Sequence, residues 1–170
     1  TTGSFQGTFD GNGFVFENLY AYNPMVNNVG LFGKAVKATL KNIGIASGLV
    51  IGGNYVGSIV GEGQDVTILN CWSAATVIGG GADGVSGIAG RAVNVSKIYN
   101  SYSLGLIYNW DFYATGLASW VNNDDFRSAN NYTMCEIVTN FAGRTPDSSN
   151  QLPGYNALFR LDSTAGRAQA

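Results

Sequence analysis

The 170-residue chain has no histidine, and charged side chains make up only 12% of it, about half the usual share. Without histidine there is no Ser-His-Asp triad and no His-bearing zinc centre of the usual kind. Nine Lys and Arg against eleven Asp and Glu give a net charge of −2, too little basic character for nucleic acid. No apolar run reaches the roughly 18 residues that a membrane-crossing helix needs. P-loop, dinucleotide and "RGD"-like motifs are missing. The "GGGADG" stretch at Gly79–Gly84 follows a strand pattern but opens no helix, so it fails as a phosphate loop. The chain has no initiator Met and no signal peptide, and it is expected to be a mature piece or excised fragment of a longer chain.

Glycine is plentiful instead. It accounts for 24 residues, roughly twice the usual share, and comes with many Asn, Ser, Thr and Tyr. That mixture predicts an extended, turn-rich, all-β protein. A 3.6-residue apolar period is absent before the C-terminal tail.

The chain repeats itself. "NLYAY" at Asn18, "NIGIA" at Asn42, "NCWSA" at Asn70, "NSYSL" at Asn100 and "NNYTM" at Asn130 share one skeleton. A second marker keeps the same beat and ends at Gly33, Gly61, Gly90 and Ser119. A period near 29 residues is too short for a propeller blade and too poor in Leu for a leucine-rich repeat. It fits one coil of a β-solenoid, stacked at about 4.8 Å per coil. Four to five coils then form a stub about 20–25 Å long. Stacking puts Asn18, Asn42, Asn70, Asn100 and Asn130 in one column, whose amides donate and accept along the stack. Asn also tolerates the left-handed backbone of a sharp bend. The apolar residues Phe16, Leu40, Ile68 and Ile98 supply core layers.

"FQGTFDGNGFVFENL" at Phe5–Leu19, "VGLFG", "VGSIVG…ILNCWS" and "VSGIAG…IYNSYS" together resemble the GLUG-motif repeats. The resemblance covers about residues 5–134. Such repeats occur in large secreted or surface proteins of bacteria, among them filamentous adhesins and the non-catalytic part of IgA-specific metallopeptidases. The resemblance implies a right-handed parallel β-helix-like solenoid of four to five coils over residues 1–134. Ile59 and Ile88 replace the motif's Leu, and Ser119 stands where Gly is expected.

"DGNG" at Asp10–Gly13 lacks the carboxylates of a Ca²⁺ loop and reads as a tight turn. Asp10, Glu17, Glu62, Asp65, Asp83 and Asp111 occupy different repeat phases, so no catalytic acid pair is expected. Asp124 and Asp125 are adjacent and would point to opposite faces of a strand, which predicts a solvated loop ahead of a weak metal site. No catalytic residue, cofactor or metal is implied. Cys71 and Cys135 differ in phase and are expected to be buried free thiols rather than a disulfide.

Aromatic residues carry the functional expectation. Tyr20, Gly44, Trp72, Tyr102 and Tyr132 each follow an Asn by two positions, a stripe with one gap. It serves either as stacking between coils or as a platform for sugar rings. A second cluster, "YNWDFY", brings Tyr108, Trp110, Asp111, Phe112 and Tyr113 into a predicted loop, with Trp110 as anchor of a binding site. Residues 135–170 read as cap and linker, with Tyr155, Leu158, Phe159 and Leu161 covering the last coil. The expected role is a non-catalytic stalk or adhesive module, extracellular or at the cell surface, with a glycan or host surface protein as partner. A polysaccharide-active β-helix enzyme and a non-catalytic region of a large secreted peptidase are the alternatives.

Overall fold

The computed structural model describes residues 3–81, 83–110, 114–122 and 126–139. Among them all regular structure is strand, every pairing is parallel, and the chain winds as a β-solenoid of about four turns. The expected cap residues Tyr155, Leu158, Phe159 and Leu161 lie outside the described residues. The strand pattern itself runs on through Glu136–Thr139, which pairs in register with Leu106–Asn109.

One coil visits four sheets in turn. In the third coil, Val60–Gln64 and Thr67–Leu69 lie in a long sheet, Trp72–Ser73 in a corner sheet, Thr76–Gly79 in a flank sheet and Val85–Ser86 in a short sheet. Ala89–Val93 then re-enters the long sheet beside Val60–Gln64. Equivalent residues thus form columns, as in Phe9, Leu40, Ile68, Ile98 and Ser128.

Three corners of the coil are turned by left-handed residues, and each corner is a column. Asn42, Asn70, Asn100 and Asn130 have φ of 55, 54, 50 and 56°. Asn28, Tyr55 and Gly84 have φ of 62, 55 and 44°, and Lys37, Asp65 and Asn94 have 51, 54 and 58°. Asn and Asp bear this conformation at little cost, whereas Lys37 and Tyr55 bear it against their intrinsic preference. Gly61 and Gly90 have a different reason. A Cβ there would stand 2.4 Å from the backbone of the corner below, at Asn28 and at Tyr55 respectively.

Two cores run up the coil. Ala35, Leu40, Ile43, Ile45, Ile59, Ile68, Ile88, Ile98 and Leu117 form the larger. Val29, Val50, Val56, Val77, Val85 and Ile107 form the smaller, between flank and short sheets. Both are built of columns of mostly aliphatic side chains, so each coil buries its own apolar layer on the next. Cys71 and Cys135 are buried free thiols, and burial pushes the Cys71 thiol up to about 11.

The first coil corrects the sequence alignment. The turn Gly11–Phe14, closed by a 2.9 Å Phe14 N–H to Gly11 C=O bond, inserts residues after the corner. Its central Asn12 and Gly13 both have positive φ, as in a type I′ turn. Val15–Phe16 consequently pairs with Gly44–Ile45, and Leu19 pairs with Gly48. Phe16 therefore stacks on Ile45, and Phe9 takes the place under Leu40. Asn18 falls outside the Asn column: its carbonyl oxygen faces the Ser47 hydroxyl at 3.4 Å. Tyr20 likewise leaves the aromatic stripe and stands in register with Leu49.

Candidate binding surface

From Ser101 to Trp110 the chain alternates between buried and outward positions without a break. Ser101, Ser103, Gly105, Ile107 and Asn109 face in, and Tyr102, Leu104, Leu106, Tyr108 and Trp110 face out. This is one extended run through corner and flank sheets, because a strand sends successive side chains to opposite sides. The third coil repeats it with Trp72, Ala74, Thr76 and Ile78 outward, and the last with Tyr132, Met134 and Glu136. Tyr20, Tyr22, Leu49 and Ile51 extend the same columns into the first two coils. The result is a broad outward face that is apolar and aromatic.

Ring geometry distinguishes the parts of this face. Trp72 and Tyr102 stack at 5.8 Å with planes 6° apart. The indole also lies against Gly44, where a Cβ would come within 2.7 Å of it. Gly44, the gap in the predicted stripe, is thus the space that the Trp72 ring occupies. With one ring face on Gly44 and the other on Tyr102, the indole packs between coils and offers only its edge outward. Tyr102 is 37% exposed and Tyr132 49%.

The predicted recognition loop is partly strand. Tyr108 belongs to Leu106–Asn109 and stacks in register over Ile78, itself over Ile51. Trp110 follows directly, 57% exposed, with its ring 5.2 Å from Tyr108 in an edge-to-face arrangement at 87°. Asp111, Phe112 and Tyr113 lie outside the described residues, as do Asp124 and Asp125. Leu104, Leu106, Met134, Ile51 and Ile78 were missed as surface residues. Their signal was the period-two pattern of Ser101–Trp110, which shows once the strand is taken to continue past Ser103.

The Asn ladder is polarised and exposed. Asn130 Nδ2 donates to Asn100 Oδ1 at 3.1 Å, Asn100 to Asn70 at 3.2 Å, Asn70 to Asn42 at 3.2 Å, and Asn42 to Asp10 Oδ1 at 2.9 Å. Asp10 takes the place at its foot that Asn18 was expected to hold. The Asn42 amide, the Asn12 N–H and Lys41 at 3.1 Å hold its carboxyl down at about 2. Asn18, Asn70, Asn100 and Asn130 are all solvent-exposed.

Charge lies elsewhere on the coil. Among the described residues every Lys and Arg sits on the long sheet: Lys34, Lys37, Lys41, Arg91, Lys97 and Arg127. Glu62 is 8% exposed between Lys34 at 3.0 Å and Arg91 at 3.7 Å. Arg91 also lies over the Tyr55 ring at 5.1 Å, and the Tyr55 hydroxyl donates to Asp83 at 3.3 Å. Burial, then the nearby Asp83 charge, raises the Tyr55 phenol above its ordinary value. Asp65 accepts from the Asn94 amide at 3.4 Å. Among the described residues no three His, Cys, Asp or Glu gather to hold a metal, and no helix is long and apolar enough to cross a membrane.

Comparison with protein-family models, curated proteins and solved structures returned no match.

Proposed function

We propose that the chain is a non-catalytic module of a secreted or surface-anchored bacterial protein: a rigid stalk that binds a glycan or a host surface protein. The observation that carries this reading is Trp110. It is more than half exposed, yet braced edge-to-face by Tyr108 at the end of a registered strand. A large ring held still costs little entropy on binding, which is why Trp and Tyr dominate binding hot spots. Asp111, Phe112 and Tyr113, a carboxylate and two rings, follow Trp110 directly in the sequence. The resemblance to GLUG-motif repeats supports a scaffold role outside the cell. The absence of catalysis is supported by the engagement of four of the six described acids. Asp10 pairs with Lys41, Glu62 with Lys34 and Arg91, Asp65 with Asn94, and Asp83 with Tyr55.

The test is Trp110→Ala on the 170-residue chain, read by thermal melting and by binding to a glycan array and to host-cell surface proteins. Melting is expected to stay nearly unchanged while binding weakens by at least about 2 kcal/mol, the hot-spot scale. A variant that melts several degrees lower and binds as before would make the Trp110 ring a packing element and sink the reading.

A further inference from the structure

Trp72 and Trp110 each stand one coil above a glycine, but only Trp72 fills the glycine's space. Resting on the reading of Trp110 as a binding residue, we propose that its ligand is a neutral glycan, one uncharged pyranose of which seats beside the indole over Gly80, and that the site discriminates against acidic sugars. Three observations carry the proposal.

The first is shape. Trp72 is in register with Gly44, and a Cβ on Gly44 would meet the indole at 2.7 Å, so that ring occupies the space. Asn109 is in register with Gly79, and the Trp110 N–H donates to the Gly79 carbonyl at 3.2 Å, which sets Trp110 over Gly80. Gly80 is exposed. Beyond its chain neighbours, a Cβ there would meet nothing among the described residues nearer than the Gly52 carbonyl oxygen at 3.8 Å. The Trp110 ring is turned instead toward Tyr108, edge-to-face at 5.2 Å. Gly80 is thus a ledge bare of described side chains beside an exposed indole, of which Tyr108 covers at most one face.

The second is hydrogen bonding. Neither the Tyr108 hydroxyl nor the Trp110 indole N–H is bonded to another described residue. The phenol donates and accepts, and the indole N–H donates. A pyranose answers both with its hydroxyls, each a donor and an acceptor, while its C–H face lies on the apolar ring.

The third is charge, and it selects among sugars. Every described Lys and Arg belongs to the long sheet. The described charges on the corner, flank and short sheets and their connections are acids: Glu17, Asp83 and Glu136. Asp111 follows Trp110 in the sequence. A uronate or a sulfated sugar would give up water at this site without gaining a cation.

The test is calorimetric titration of the 170-residue chain with cellotriose, mannotriose and galactotriose, and with the matching uronates, in which each hydroxymethyl becomes a carboxylate. At least one neutral trisaccharide is expected to bind with a Kd at or below about 1 mM. Its uronate should bind at least about tenfold more weakly, for want of a cation. Neutral binding should hold constant from about 0.01 M to about 1 M salt, over which screening shortens from about 30 Å to about 3 Å. Trp110→Ala should weaken it by about thirtyfold, the fold-change of about 2 kcal/mol. Gly80→Leu fills the ledge and should weaken it by at least about tenfold with melting unchanged, because a side chain then stands where the sugar would. Gly80→Ala is the second variant, should leucine disturb the fold, and is expected to weaken binding by about threefold or more on the same ground. A uronate that binds as well as its neutral counterpart overturns the proposal, as do Gly80 variants that bind as before. So does the absence of trisaccharide binding where Trp110→Ala still weakens binding to a host-cell surface protein. Each of these leaves the Trp110 reading standing. Glycan binding that survives Trp110→Ala, or no binding to glycan or protein at all, overturns both.

Discussion

Asn70→Ala tests how the ladder stabilises the coil. Asn70 sits mid-ladder, donating to Asn42 and accepting from Asn100, each at 3.2 Å. It is exposed, so the large penalty for stranding a buried polar group does not arise, and each amide bond contributes about 0.5 kcal/mol, the low end of the net range. Its φ of 54° adds a backbone term: alanine in the left-handed region costs about 1 kcal/mol more than asparagine. The loss for Asn70→Ala is therefore about 2 kcal/mol, or about 4–8 °C of melting for a chain this long. Asn70→Gly separates the terms. Glycine keeps the left-handed backbone without strain and loses only the two bonds, so about 1 kcal/mol is expected. Urea titration followed by tryptophan fluorescence, together with thermal circular dichroism, measures both. Equal losses for the two variants would refute the backbone term. No loss from either would refute a stabilising ladder altogether.

Lys37 occupies a left-handed corner at φ 51° where the columns above carry Asp65 and Asn94, so Lys37→Asn should raise stability by about 1 kcal/mol, and a lower melting temperature would contradict the strain argument. Gly90→Ala should cost roughly 3 kcal/mol because its Cβ meets the backbone of Tyr55 and Val56 at 2.4 Å, whereas Gly80→Ala, whose nearest neighbour is 3.8 Å away, should be almost neutral in the same urea titration. Asp10 is ionised more readily in the folded state, so its contribution is present above its ordinary value of 3.8 and is lost as pH falls toward about 2. Acid titration of stability should show that fall, and Asp10→Asn should remove Asp10's share of it. Both thiols should resist a thiol reagent at pH 8 in the folded chain and react once the chain is unfolded, since Cys71 and Cys135 are buried and the Cys71 thiolate is disfavoured up to about 11.

Sequence alone determined the period, the coil and most of its columns. Gly33, Gly61, Gly90 and Ser119 do stand in one column, and at Gly61 and Gly90 a Cβ would meet the backbone of the corner below, so that in the middle coils only glycine fits there. Asn42, Asn70, Asn100 and Asn130 were legible for a related reason: a left-handed corner and an amide ladder both select asparagine, so the residue type repeats where the geometry does. The sequence marked less well the places where different residues solve one geometric problem. Lys37, Asp65 and Asn94 share a left-handed corner without sharing a side chain, and Asn28, Tyr55 and Gly84 share another. Periodicity sees identity, and backbone conformation leaves none there. The first coil was misaligned for a different reason: the turn at Gly11–Phe14 adds residues that put Asn18 beside Ser47 and Tyr20 beside Leu49, and only strand pairing reveals the offset. The outward face was decided by tertiary structure too. Whether Leu104 and Leu106 point into the core or to solvent depends on the strand's passing the corner without a slip, because one residue of slip exchanges the two sides. Pairing of Tyr102–Ser103 and Leu106–Asn109 with the coil below fixes that phase, and so turns an apolar run that reads as core into a surface.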